Sequence, residues 1–250
     1  MTDTVLYEMR GPIAVITLNR PEKRNVVNTA MRDGVLAAWQ RFEADPAARV
    51  AILTAAGDKA FCAGRDLSEA ASGHGHGFIP ILRDEISVSK PVIAAVNGAA
   101  LGGGCFLAIS CDLCVAAEHA SFALTEARVG RAPIYAFWLN DIMPQKAALE
   151  MSMTGNPIGA RRAYELGLVN HVVPAAKLMD MAMALAADLC AAAPLSVAAT
   201  KAMLYETAGL DTFSALELAL ARFKPVFESE DAMEGMRAFR EKRPPQWKGR

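Results

Sequence analysis

Apolar residues along the chain fall into two rhythms. Val5–Met9 and Ile13–Leu18 are short runs of β-branched and apolar residues parted by Arg10-Gly11-Pro12, which predicts a hairpin at the start. Thr29–Asp45 follows a polar turn and places Met31, Val35, Leu36, Trp39 and Phe42 at helical spacing, with Pro46 as the stop, so it predicts an amphipathic helix. An apolar strand (Val50–Thr54), a loop, a helix (Ile79–Ser89), a strand (Val92–Val96), a glycine-rich turn with a helix, and a strand (Asp112–Ala117) come next. Such alternation predicts an α/β fold of mainly parallel strands joined by helical crossovers. Past Val173 only helical patterning remains, in Leu178–Ala193, Leu195–Glu206, Thr212–Phe227 and Asp231–Arg240. The expected division is a core over residues 1–194 and a helical region over 195–250. The alanine-rich helices before and after Pro194 carry few charges for exposed surfaces, which points to burial of part of this end by another subunit. Ser68–Gly77 (SEAASGHGHG) has no hydrophobic period and reads as a mobile loop.

Composition narrows the classes. With 53% hydrophobic and 21% charged residues in 250, the chain has the make-up of a folded domain. A net charge of −1 supplies no field for a nucleic-acid backbone or an anionic membrane, so neither is an expected partner. Five cysteines, an odd number in apolar surroundings, argue for a reducing compartment over a disulfide framework. The start lacks a secretory signal pattern, and Pro91–Ala117 is too interrupted by glycine and polar residues to span a bilayer. The expected location is cytoplasmic.

Two segments carry candidate chemistry. Lys59–Leu67 (KAFCAGRDL) reads either as a tight turn around a buried thiol or as a place where small residues let a ligand approach the backbone. Asn97–Cys105 (NGAALGGGC) joins a strand to a helix, and its glycines either permit close packing or leave amide N–H groups open to an anion at the positive helix end. Neither the dinucleotide nor the P-loop pattern is present, and no G-x-S-x-G elbow marks a serine hydrolase. Cys111-x-x-Cys114 has no second pair, and His74 and His76 have no further ligands at metal spacing, so no metal is expected.

Taken in order, AVITLNRPEKRN (Ala14–Asn25), KAFCAGRDL, KPVIAAVNGAALGGGC (Lys90–Cys105), CDLCVAAEHASF (Cys111–Phe122), ELGLVNHVVP (Glu165–Pro174) and EGMRAFREKRPP (Glu234–Pro245) resemble the successive signature blocks of the enoyl-CoA hydratase/isomerase (crotonase) family, over nearly the whole chain. The resemblance implies a crotonase-like spiral of β-β-α turns with a C-terminal helical oligomerisation region, assembled as a trimer or a dimer of trimers. It implies an acyl-CoA thioester as substrate, with no separate cofactor. The backbone N–H groups at the positions of Arg65 and Gly103 would form an oxyanion hole. Family hydratases use two glutamates; the later one corresponds to Glu126, whereas the earlier position holds Phe106. With one carboxylate missing, the favoured reaction is double-bond isomerisation with Glu126 as single proton shuttle. Glu126 also reads as a surface carboxylate paired with Arg128 or Arg131. The alternatives are a hydratase that works despite Phe106, and a non-catalytic acyl-CoA binding subunit. The CoA moiety would lie along Arg24 and Ala63, Arg65, Asp66 and Leu67, with Phe239 and Lys242 supplied by a neighbouring subunit. Phe106, Tyr135, Phe137 and Trp138 are the expected acyl-pocket residues, the last three reading equally as core packing. Family dehalogenases place an aspartate where this chain has Ile134, which disfavours that branch, and the near-zero charge disfavours the family's RNA-binding kind.

Overall fold

The computed structural model describes residues 3–68, 78–84 and 86–250. Strand β1 (Val5–Arg10) turns at Gly11, whose φ of 60° suits glycine, into β2 (Ile13–Leu18), and the two pair antiparallel from Val5 opposite Leu18 to Arg10 opposite Ile13. β1 alternates between half-buried and exposed positions because it is an edge; β2 is almost wholly buried because β3 (Val50–Ala55) covers its other side in parallel. Between them runs α1 (Thr29–Ala44). The Asn28 side chain caps it by accepting from Met31 N at 3.0 Å, and the stripe Met31, Val35, Ala38, Trp39 and Phe42 is buried.

From β3 onward the chain lays strands alternately in two sheets. β4 (Ala60–Cys62) leaves the first sheet, β5 (Val92–Val96) returns beside β3, and β6 (Ala99–Leu101) pairs in parallel with β4. Helix α2 (Gly103–Ser110) leads to β7 (Leu113–Ala117) beside β5 and then to β8 (Ser121–Ala123) beside β6. After α3 (Leu139–Ile142) and α4 (Gln145–Thr154), β9 (Ile158–Gly159) closes the small sheet antiparallel to β8, and α5 (Ala160–Glu165) leads to β10 (His171–Val173) beside β7. The large sheet has the order β1-β2-β3-β5-β7-β10 and the small one β4-β6-β8-β9. This staircase of strand, strand and helix is the expected α/β spiral.

Helix α6 (Leu178–Ala191) covers the face of the large sheet opposite α1. Leu178, Ala182 and Ala186, one turn apart, are buried against Ile13, Val50, Ile52, Ile93 and Val115. Helices α7 (Pro194–Glu206), α8 (Thr212–Phe227) and α9 (Glu230–Glu241) follow. Phe213, Leu216, Leu220 and Phe227 lie on one face of α8 and are exposed in the single chain. Among the described residues no single helix is long and apolar enough to cross a membrane.

One predicted element is absent. The described residues of 79–89 form no helix; Leu82 bridges Ile86, and Ile81 N donates to Ile79 O at 2.8 Å in a tight turn. Pro80 disfavours the helical region for Ile79, so a helix is not opened there. The Ser68–Gly77 loop expectation falls, beyond Ser68, outside the described residues.

Candidate active site

The site forms where the small sheet hands the chain to α2. Beyond β4, the segment Ala63–Asp66 is stitched to Arg24–Val27: Ala63 N donates to Arg24 O (3.1 Å), Val27 N to Gly64 O (2.8 Å) and Asp66 N to Val27 O (2.8 Å). Gly64 has φ +91°, and a Cβ there would stand 3.0 Å from Leu101 O and 3.5 Å from Gly103 N. The Gly64–Arg65 turn therefore lies against the beginning of α2.

Each residue of the triplet Gly102-Gly103-Gly104 is small for its own reason. At Gly102, φ is +54° and a Cβ would approach Glu126 Oε1 at 3.1 Å and Thr125 Oγ1 at 3.3 Å. At Gly103 a Cβ would strike Ile79 Cγ1 at 2.5 Å, and at Gly104 it would strike the Cys62 carbonyl oxygen at 2.1 Å. Close approach, to the Ile79 side chain at Gly103 and to the Cys62 backbone at Gly104, rather than chain freedom, sets the last two. Cys105 N and Phe106 N both turn back to Gly102 O, and Gly103 N–H, at the first helical position, has no backbone acceptor among the described residues. It points with the positive end of the helix.

Glu126 stands opposite, on the single 3-10 turn Thr125–Val129, which Gly130 ends in the left-handed region while Arg131 N donates to Glu126 O at 2.8 Å. The carboxylate Oε2 is buried and has no hydrogen-bond partner among the described residues. Burial pushes the Glu126 carboxyl above its ordinary value, opposed only by its own backbone N–H. The surface-pair reading of this residue is not what the structure holds: Arg128 donates to Thr154 O at 2.9 Å and to Asn156 Oδ1, and neither Arg128 nor Arg131 forms an ion pair with Glu126.

These groups border one cavity of about 440 Å³. Ala63, Gly64, Arg65 and Leu67 form one side, Gly102, Gly103 and Phe106 the floor, and Thr125, Glu126, Val129 and Tyr135 the far wall. The Phe106 ring is buried and meets Tyr135 edge-on at 5.4 Å, so no second carboxylate stands at its position. The Arg65 guanidinium lies 4.3 Å over the Phe78 ring.

The four expected acyl-pocket residues divide. Phe106 and Tyr135 line the cavity; Phe137 and Trp138 do not, Phe137 being 60% exposed and Trp138 packing on Tyr135 at 5.3 Å and on Arg83 at 4.3 Å. The 3-10 turn at Ala136–Trp138 rotates successive side chains apart, which separates them from Tyr135. Asp66 is committed to Ser68 and to Arg20 (3.2 Å), and the Ser68 hydroxyl first, then Arg20, holds its carboxyl below the ordinary value. Arg24 sits at a left-handed position closing the turn Pro21–Lys23. Phe239, 85% exposed on α9, and Lys242 at its C-cap do not line this cavity within the chain. Among the described residues no cluster of three metal-ligating side chains exists; His74 and His76 lie outside them.

The sequence reading missed Phe78, Ile79 and Ile81, which line the cavity: Ile79 and Ile81 because they were assigned to a helix, Phe78 because it falls between that helix and the preceding loop. Pro80 was the available signal. Val129, on the far wall, has no sequence reading, whereas Arg131 and Ile134, which also line the cavity, read in the sequence only as an ion-pair candidate and as the dehalogenase position.

A buried carboxylate facing glycine-flanked N–H groups across an apolar cavity is equipment for moving a proton beside a developing negative charge. The chain belongs to the enoyl-CoA hydratase/isomerase family, whose model matches residues 8–250, and whose members are enzymes of the crotonase type. It is 41% identical to a carnitinyl-CoA dehydratase of Salmonella paratyphi A over the whole of both chains. Among solved structures, an enoyl-CoA hydratase from Mycobacterium tuberculosis H37Rv superposes with a TM-score of 0.91 at 39% identity, covering 99% of this chain and 100% of that one. An enoyl-CoA hydratase from Bacillus anthracis matches with the same score at 31% identity and the same coverage.

Proposed function

We propose that the protein is an acyl-CoA double-bond isomerase in which Glu126 is the single proton shuttle. The observation that carries this reading is the pairing of a buried, unpartnered Glu126 Oε2 with the apolar ring of Phe106 in the same cavity. The thioester carbonyl of a β,γ-enoyl-CoA lies on the N–H groups of Arg65 and Gly103. Glu126 takes a proton from the α-carbon, the electron pair spreads into a dienolate held at the oxygen, and the same carboxyl returns the proton to the γ-carbon. The product is the conjugated α,β-enoyl thioester. Each N–H donor aimed at the oxyanion contributes roughly 2.7–4 kcal/mol to such a step. Burial supports the shuttle, since a carboxyl raised above its ordinary value is a stronger base when ionised.

A hydratase or dehydratase reading is favoured by the 41% identity to a carnitinyl-CoA dehydratase and by the enoyl-CoA hydratases among the similar solved structures. It requires that water be activated without a carboxylate at Phe106. Incubation with a short β,γ-enoyl-CoA and, separately, with crotonyl-CoA decides between them. The isomerase reading expects conjugated-enoyl absorbance to rise with the first and crotonyl-CoA to stay intact; hydration of crotonyl-CoA would overturn it, and binding without turnover of either would favour a non-catalytic acyl-CoA binding subunit.

Residues 195–250 serve as the oligomerisation region in this proposal, in a trimer or a dimer of trimers. The exposed apolar face of α8, with Phe213 at 86% exposure, supports it, and Phe239 and Lys242 then reach the CoA of a neighbouring subunit. Arg24, Ala63, Asp66 and Leu67 take the nucleotide part from within the chain.

A further inference from the structure

Arg83 occupies a position that nothing in the proton shuttle explains. Its φ is 70°, a left-handed conformation uncommon for a residue with a side chain, and its N–H is fixed on Ile86 O at 2.9 Å. The guanidinium is stacked between two aromatic rings from distant parts of the chain, 4.3 Å from the centroid of Trp138 and 4.1 Å from that of Tyr205 on α7. Its Nε is buried with no hydrogen-bond acceptor among the described residues, so the rings are what hold it. Tyr205 is itself anchored, its hydroxyl donating to Asp112 Oδ1 at 2.9 Å, and Asp112 forms a largely buried ion pair with Lys201 of α7 at 2.8 Å. The next residue, Asp84, accepts a hydrogen bond from the hydroxyl of Tyr135, whose ring packs on Trp138 and meets Phe106 edge-on.

We propose that Arg83 and Asp84 are a positioning pair that fixes the aromatic end wall of the acyl cavity and so sets the acyl length the enzyme accepts. Neither residue lines the cavity. Arg83 clamps Trp138 against helix α7, Asp84 holds the hydroxyl of Tyr135, and Tyr135 with Phe106 closes the cavity beside Glu126. A planar guanidinium suits contact with two rings better than an ammonium does, and the hydrogen bond that Tyr135 donates to Asp84 restrains its ring from swinging outward. Selectivity for acyl length thus depends on residues that never touch substrate, including an anchor on α7. This inference rests on the cavity being the acyl site, and not on which reaction occurs there.

Binding, rather than turnover, tests it. Dissociation constants for butyryl-, hexanoyl-, octanoyl- and decanoyl-CoA are measured by calorimetry on the wild type, Arg83→Met, Arg83→Lys and Tyr135→Phe. The wild type is expected to favour short chains. Arg83→Met and Tyr135→Phe should shift the decanoyl-to-butyryl affinity ratio toward the long chain by about tenfold or more, the scale on which a pocket discriminates added methylenes, with Arg83→Lys between them and the wild type. Trp138 emission should change in Arg83→Met as the stacked cation is lost. A ratio unchanged in both variants, a parallel loss at every chain length, or a wild type indifferent to chain length would overturn the proposal. Should Arg83→Met fail to fold, Tyr135→Phe, which removes a single oxygen, carries the test alone. A protein that shows the ratio shift but isomerises nothing refutes the reaction proposed above and leaves the positioning pair standing.

Discussion

Replacing Gly104 by alanine tests the geometry of the proposed oxyanion site without removing a polar group. A Cβ at Gly104 would lie 2.1 Å from the carbonyl oxygen of Cys62 and 2.7 Å from its carbonyl carbon, and both contacts are backbone. Alanine would otherwise favour α2 by up to about 1 kcal/mol through helix propensity. Relief of the clash requires β4 and α2 to part by about 0.9 Å, the difference from the 3.0 Å limit of real Cβ contacts. Cys62 and Gly104 flank the two groups assigned to the oxyanion, since Arg65 lies three residues past one and Gly103 just before the other. Misplacement by about 1 Å costs roughly a hundredfold in rate, and full loss of one donor roughly 10²–10³. Gly104→Ala should therefore lower kcat by about two orders of magnitude while overpacking costs the fold about 1–3 kcal/mol. Gly159→Ala is the matched control, because nothing lies within 4 Å of a Cβ there. Turnover of a β,γ-enoyl-CoA and exchange of the α-proton of a saturated acyl-CoA, in which the enolate takes up deuterium at the α-carbon from deuterated water, give two readouts, the second independent of whether the enzyme isomerises or hydrates enoyl thioesters. A folded Gly104→Ala protein with kcat within a few-fold of the wild type would refute the reasoning.

Glu126 must be ionised to accept a proton, so kcat/KM should fall as pH is lowered through a value above the ordinary glutamate 4.5; a profile flat down to that value would contradict it. The same raised carboxyl works against stability: between the unfolded value and the raised folded value the native state holds the extra proton, and the wild type loses stability as pH rises through that window. Glu126→Gln should accordingly be more stable than the wild type at neutral pH in urea unfolding, with the gain vanishing below the window. Phe106→Glu places a second carboxylate on the cavity floor and should confer measurable hydration of crotonyl-CoA, at a stability cost of about 3 kcal/mol or more for lost packing and a buried acid; a stable variant without hydration would show that this position does not decide the reaction. Burial pushes the Cys62 and Cys114 thiols up to about 12 and raises those of Cys105 and Cys111 well above the ordinary thiol value, whereas Cys190 is partly exposed on α6. Alkylation of the native protein at mildly alkaline pH, mapped by mass spectrometry, should therefore modify Cys190 alone.

Where a whole face or a whole strand is buried, the sequence pattern was enough. The α1 stripe, the wholly buried β3 and β5, and the four C-terminal helices announce themselves through period and punctuation. The small sheet did not, because strands of three residues or fewer such as β4, β6 and β8 show no alternation, and they are defined by pairing across the chain. Glycines 102–104 were visible as a cluster, yet the reason for each, Glu126, Ile79 or Cys62, is a contact between distant segments. Tyr135 and Phe137 looked equivalent in sequence; a 3-10 turn sends one inward and leaves the other in solvent. The Arg83 sandwich joins residues 83, 138 and 205 and leaves no local trace.

The central claim is that one carboxylate moves the proton. Glu126→Gln keeps the shape of the side chain and removes the base, and general acid–base catalysis of this kind contributes roughly 10²–10⁴ in rate. Conjugation of a short β,γ-enoyl-CoA, followed at saturating substrate in the wild type and in Glu126→Gln, should slow by about that factor while the affinity for butyryl-CoA is retained. A variant that isomerises within tenfold of the wild type would contradict the account.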